Sequence, residues 1–432
     1  MKILNANREK EKIIQILEKR HLEPQDVQSS VLKIIDAIRK NGDQALLKYT
    51  TLYDKTKEKY KLDCIPQSQC KNAYNKLDKG IKEYLKIATA NIRKFHKAQL
   101  QKDISVKMDD GVKLIQRVMP LERVGVYVPG GLASYPSTVL MNVIPAQIAG
   151  VKEIVMVSPP WNGVSINPTT LAVAYFLGVK EIYPVGGAQA IAALCFGTET
   201  IKKVDKIVGP GNKYVQMAKK LLFGLIDIDA IAGPSEILII ADNTANPEYV
   251  AADLLSQAEH DPDAGSILIT NSEIFSQKVI QKIKEQIAMA PRKEIIQMSL
   301  KKNGLIIITK SIDEAIELVN IKAPEHLEII CKDAANKVGK IKNAGAIFIG
   351  EYSSEPVGDY IAGTNHILPT NGSARFFSPL SVDDFIKKNN VIYYTKRALM
   401  KNGKYVIDIA EKEGLFAHAN AIKVRLKNYD KT

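Results

Sequence analysis

Apolar residues along this chain follow two rhythms. Over roughly the first hundred residues they recur at intervals of three and four. In Val27-Gln28-Ser29-Ser30-Val31-Leu32-Lys33-Ile34-Ile35-Asp36-Ala37-Ile38 that spacing lines one face of a helix, and Lys79 to Leu100 repeats it. Tyr60 to Pro66 and Ile104 to Leu114 are less regular and suit short strands. From Arg117 the texture becomes short, wholly apolar runs separated by helix-length segments. Val124 to Val128, Glu153 to Ser158, Glu181 to Val185 and Lys206 to Val208 form one such series. Helices are expected from Ser137 to Ala149, Pro168 to Leu177 and Ala188 to Phe196. A second series begins at Glu236 to Ile240 and continues through Ser266 to Thr270, Leu305 to Ile308, Leu327 to Ile330 and Gly345 to Ile349. Runs apolar on both faces and joined by crossovers predict parallel sheets.

The reading is therefore an α/β protein with two Rossmann-like parallel-sheet units. A mainly helical region (1–105) precedes the first unit (106–234) and the second (235–378). A tail (379–432) carries short helices, Val382 to Lys388 among them, and one strand, Val391 to Tyr394. The tail is too small to bury a core alone and must dock on something else. At 432 residues, more than one core is expected anyway.

Composition changes this picture little. The 46% hydrophobic and 25% charged fractions are those of an ordinary globular protein. The net charge of +13 invites a nucleic-acid reading, yet only ten of the 60 basic residues are Arg and the lysines are scattered among Glu and Asp. A Lys-rich solvated surface fits better. The four cysteines form no CxxC pair, no signal-peptide pattern follows Met1, and no stretch of about 18 apolar residues exists to span a bilayer. A cytoplasmic enzyme with free thiols is expected.

Candidate chemistry concentrates in the second half. Ala323-Pro324-Glu325-His326-Leu327 sets a carboxylic acid beside an imidazole, a usable proton-transfer unit near neutral pH. Gln257 and His260, three apart in an expected helix capped by Asn246, would share a face, and Asp359 and His418 could complete a four-ligand N/O metal set. Surface polar residues explain the same pattern. The turns at Pro129-Gly130-Gly131, Gly186-Gly187 and Gly209-Pro210-Gly211-Asn212 follow strands, where backbone amides can meet an anionic ligand, although none spells GxGxxG. Cys195, between Leu194 and Phe196, is read as a packed core thiol rather than a nucleophile.

These segments together resemble the histidinol dehydrogenase family over essentially the whole chain. Ser256-Gln257-Ala258-Glu259-His260-Asp261, Asn343-Ala344-Gly345-Ala346 and Gly363-Thr364-Asn365-His366 carry the likeness most specifically. The resemblance implies a homodimeric, zinc-dependent enzyme that oxidises L-histidinol through L-histidinal to L-histidine with two NAD, the last step of histidine biosynthesis. It implies zinc held by Gln257, His260 and Asp359 of one subunit and His418 of the other, with Glu325 and His326 as the acid-base pair. Ser235 and Glu413 match substrate-binding positions, where the metal ligands and His326 also meet the substrate. Tyr127, Gln189 and Asn212 match NAD contacts. Two rivals remain at this point: another NAD-linked alcohol or aldehyde dehydrogenase, and a basic nucleic-acid-binding protein.

Overall fold

The computed structural model describes residues 1–19, 25–54, 56, 60–130 and 135–427, so Gly131 of the first glycine turn lies outside the described residues. The chain divides into two compact units, Met1–Gln99 with Leu121–Phe385, and Leu100–Pro120 with Ile386–Thr432.

The larger unit holds two parallel sheets. In the first, the strands run in the order Glu181–Tyr183, Glu153–Val157, Arg123–Tyr127, Lys206–Val208, Asp227–Ile228. The central strand, Arg123–Tyr127, is buried along its whole length, as a strand covered on both faces must be. One face packs on the helices Gln25–Asp54, Gly187–Phe196 and Lys213–Leu222. The other packs on Gln67–Asn75, Lys79–Lys97, Pro136–Ala149 and Pro168–Phe176. Helices from the first hundred residues thus supply part of both outer layers.

The second sheet is six-stranded and wholly parallel: Lys2–Asn5, Gly304–Ile308, Gly265–Thr270, Glu236–Ala241, His326–Ile330, Ala346–Ile349. Lys2–Asn5 was not legible as a strand, because four residues carry too little periodicity. It is defined by its pairing with Gly304–Ile308, and the Asn5 side chain then caps the helix Ala6–Glu18 by accepting from the amide of Asn7 at 3.0 Å. Tyr60 to Pro66 is no strand, although the amide of Ile65 donates to the Ile182 carbonyl at 2.8 Å.

The smaller unit is an antiparallel sheet, ordered Ile386–Tyr393, Lys113–Pro120, Ile104–Lys107, with two helices, Lys396–Lys412 and Phe416–Lys427. The expected helix at Val382 to Lys388 shrinks to a single turn, Val382–Phe385. The residues after it pair with Lys113–Pro120 as a strand of eight. Sheet pairing overrides local preference there. No helix among the described residues is long and apolar enough to cross a membrane.

Candidate active site

The acid-base pair sits where a helix turns into a strand. Ala323, with φ of 52°, ends the helix Ile312–Lys322 in the left-handed region, Pro324 follows, and His326 opens the strand His326–Ile330. Glu325 and His326 are both buried, at 5% and 4% exposure. The carboxylate Oε2 of Glu325 accepts from the amide of Glu236 at 2.9 Å. The imidazole Nδ1 of His326 lies 3.1 Å from the Glu236 carbonyl and 3.8 Å from Glu325 Oε2. An imidazole facing a carbonyl must donate to it, so Nδ1 carries the proton and Nε2 keeps its lone pair. Nε2 has no hydrogen-bond partner among the described residues; Glu355 Oε1 lies 4.0 Å away.

Burial sets the proton affinities. It pulls His326 down to about 4, so the ring is neutral at physiological pH. Burial pushes Glu325 well above the carboxylate range. Glu355 rises to about 8, first through burial and then through the charge of Asp359.

Residues that the sequence did not single out surround the pair. Glu355 begins the short helix Glu355–Val357; its Oε2 accepts from the Ser256 hydroxyl at 3.3 Å. Its amide donates to Glu328 Oε1 at 2.8 Å. Glu328 lies two residues into the strand from His326 and shares a hydrogen bond with Asp253; burial raises the affinity of both for a proton. Nothing in the residue types marks these acids as buried, since Asp and Glu are ordinarily exposed. The only signal was that Glu328 interrupts an apolar run destined for a sheet interior.

Gln257 is fully buried near the end of the helix Pro247–Ala258, and among the described residues neither its amide oxygen nor its amide nitrogen has a partner. His260 does not share that helix face, because the helix stops at Ala258 ahead of Pro262. His260 lies in the following turn, exposed, its amide donating to the Gln257 carbonyl at 3.2 Å. It is close enough to His326 and His366 for its charge, when present, to disfavour theirs.

Asp359 lies on a turn running from Gly358 to Ala362, with His366 Nδ1 donating to its carbonyl at 3.2 Å. Two contacts tie this turn to the helix Lys79–Lys97: Asn91 donates to the Ile361 carbonyl at 2.7 Å, and Gly363, at φ of 105°, lies so near Asn91 that a Cβ would meet its backbone at 2.7 Å. His326, Glu355 and Asp359 bring ligand-type atoms within 4.8 Å of one another. This knot of an imidazole and two carboxylates, with the buried amide of Gln257 one residue after the Ser256 that donates to Glu355, fits a divalent cation.

The glycine turns gather at the carboxyl ends of the first sheet. Tyr127 ends its strand buried, and its hydroxyl accepts from the Gly187 amide at 3.1 Å. Gln189 is buried, and its amide nitrogen has no partner among the described residues. Asn212 is exposed and caps the helix Lys213–Leu222 through the amides of Tyr214 and Val215.

The sequence pattern described as histidinol dehydrogenase matches residues 17–426. The chain is 51% identical over 418 residues to the histidinol dehydrogenase of Clostridium acetobutylicum, covering 96% of both, and 53% identical to that of Listeria innocua over 401 residues, 93% of each. The chain belongs to the histidinol dehydrogenase family. A crystal structure of histidinol dehydrogenase from Elizabethkingia anophelis superposes with a TM-score of 0.91 at 41% identity, over 99% of this chain and 98% of that one. Membership makes the chain an oxidoreductase acting at the last step of histidine biosynthesis.

Histidinol dehydrogenase candidates lie in both units. Ser235 immediately precedes the strand Glu236–Ala241 and is half-buried. Glu413 and His418 belong to the smaller unit, Glu413 closing the helix Lys396–Lys412 and His418 near the start of Phe416–Lys427, and both are exposed. Cys195 is half-buried, and burial raises its thiol, which disfavours the thiolate an aldehyde-oxidising nucleophile would need.

Proposed function

We propose that the chain oxidises L-histidinol through L-histidinal to L-histidine with two NAD, as a cytoplasmic homodimer. Zinc would be held by Gln257, His260 and Asp359 of one subunit and His418 of the other. Tyr127, Gln189 and Asn212 would hold NAD, and Ser235 and Glu413 would contact the substrate. The observation that carries this reading is the neutral His326, its proton committed to the Glu236 carbonyl and its Nε2 lone pair uncommitted.

Removal of a hydride from a primary alcohol needs the hydroxyl proton to leave too. His326 Nε2 is the base for that proton in the first oxidation. The second oxidation requires a hydrated aldehyde. Burial makes Glu325, once ionised, a stronger base than an exposed carboxylate, suited to taking a proton from the attacking water. Zinc, when bound, supplies a template for the imidazole and amine of the substrate. The buried Glu355 and the half-buried Asp359 favour a cationic guest, and an alcohol bearing an ammonium group is one. An enclosed site also keeps a reactive aldehyde from solvent.

The test is stoichiometric. NADH formed per histidinol consumed should be two, with free histidinal undetectable, and a chelator should abolish turnover while far-UV circular dichroism stays unchanged. A ratio of one with aldehyde in solution contradicts the two-step reading. A collapse of circular dichroism on chelation would make the metal structural.

A further inference from the structure

A buried ion pair stands behind the glycine turn at Gly209 and has no part in the chemistry above. Lys219, in the helix Lys213–Leu222, is 1% exposed, a rare environment for a lysine. Its Nζ donates to Asp229 Oδ1 and, at 3.1 Å, to the carbonyl of Gly209. Asp229 follows the edge strand Asp227–Ile228; its Oδ2 accepts from the Gly209 amide at 2.7 Å and its Oδ1 from the amide of Ala230 at 2.7 Å. Both backbone polar groups of one glycine are therefore held by the two members of one ion pair.

Gly209 has little freedom to move otherwise. Its φ is 113°, and a Cβ there would lie 2.1 Å from the Tyr127 carbonyl oxygen. Tyr127 in turn holds the Gly187 amide through its hydroxyl, and Gln189 lies two residues on in the same helix. Three residues after Gly209, Asn212 caps the helix that carries Lys219. A continuous set of contacts, Lys219 to Asp229 to Gly209 to Tyr127 to Gly187, thus joins the segments bearing Tyr127, Gln189 and Asn212.

Stability does not account for the pair. Two buried charges gain little over well-packed apolar side chains of the same volume. They do offer directed hydrogen bonds that fix one turn in one conformation. We propose that Lys219 and Asp229 are positioning residues for NAD, holding the Gly209–Asn212 turn in the shape that receives the dinucleotide. The proposal rests on the reading that Tyr127, Gln189 and Asn212 contact NAD.

The experiment compares two double variants that leave no unpaired buried charge, Lys219→Met/Asp229→Asn and Lys219→Gln/Asp229→Asn, with Gln189→Ala and Asn212→Ala. Steady-state kinetics varying NAD and histidinol separately are read beside NADH binding by fluorescence and thermal melting. The first double variant should raise KM for NAD about tenfold and weaken NADH binding to match, the factor that accompanies about 1.4 kcal/mol. Its kcat and KM for histidinol should stay within about twofold, a difference at the level of non-specific effects. Lys219→Gln/Asp229→Asn, polar at both positions, should show the same split should the first double variant fail to fold. If the pair variants lower only the melting temperature while Gln189→Ala raises KM for NAD, the cofactor site stands and the pair is merely structural. If neither Gln189→Ala nor Asn212→Ala moves KM for NAD, the cofactor reading fails and this proposal falls with it.

Discussion

Replacing His326 with Asn keeps a donor toward the Glu236 carbonyl but removes the Nε2 lone pair, so it isolates the base from its scaffold. Turnover should fall by about two to four orders of magnitude, the usual cost of losing a general base, with zinc content unchanged. Loss of zinc with activity would make His326 a ligand, which its proximity to Glu355 and Asp359 also allows. Glu325→Gln should slow oxidation of added histidinal more than the first hydride transfer, as single-turnover measurements on the two substrates would show. The adjacent pair was legible because both residues stand together in the sequence. Glu355, Glu328 and Asp253 were not, because their burial is a property of the packed site and not of their types. That burial has its own pH signature in the metal-free protein. Glu355 binds its proton up to about 8 when folded but only to about 4.5 when unfolded, so its stabilising effect is complete below 4.5 and lost as pH rises through 8. His326 works oppositely: folded at about 4 against 6.5 unfolded, it destabilises as pH falls from 6.5 toward 4. The two largely offset between 4.5 and 6.5, and above that Glu355 acts in the same direction as Glu325 and Glu328, which burial also raises. Denaturant midpoints should therefore drop between pH 6.5 and 8, and Glu355→Gln should make that slope shallower; an unchanged slope would reject the assignment.

At the scale of elements, both parallel sheets could be read from their apolar runs, since a strand covered on two faces needs little else to declare itself. The edge strand Lys2–Asn5 could not, nor could the first half of Ile386–Tyr393, of which only Val391 onward read as a strand, because partners distant in sequence define them. Nor could the polarity of the second site. Glu236, His326 and Ala346 all begin their strands, so the acid-base pair stands at the amino ends of its sheet, whereas the glycine turns follow the carboxyl-end rule in the first sheet. Amino ends are where a helix such as Pro247–Ala258, running back across the sheet, delivers Gln257. The turn bearing Asp359 depends on the helix Lys79–Lys97, a part of the chain whose role the residue pattern left blank. Gly363→Ala would place a Cβ 2.7 Å from the Asn91 backbone, at a φ that L residues rarely adopt, a strain of about 1–3 kcal/mol. Zinc affinity by chelator competition should weaken, with the fold retained. Unchanged affinity would show that the turn holds its shape without this contact.

At the scale of the whole molecule, the shared-site proposal makes a quantitative claim. Neither His260→Asn nor His418→Asn protein should turn over alone. A mixture whose subunits exchange should regain about a quarter of wild-type activity, because each heterodimer holds one intact site under closed two-fold symmetry. Exchange shown by mass spectrometry without recovery would place His418 in its own subunit's site. The strand Lys2–Asn5 has a further consequence, in the order of events at the ribosome. Lys2 lies beside Leu305, 303 positions later by subtraction, and the helix Ala6–Glu18 buries Ile13 and Leu17 against the same sheet. At about 5–20 residues per second, roughly 15 to 60 s of synthesis separate the emergence of that strand from that of its partner. The segment made early is therefore among the later parts to be covered, and until residue 304 is out, its apolar side chains are exposed to whatever chaperone waits at the exit tunnel.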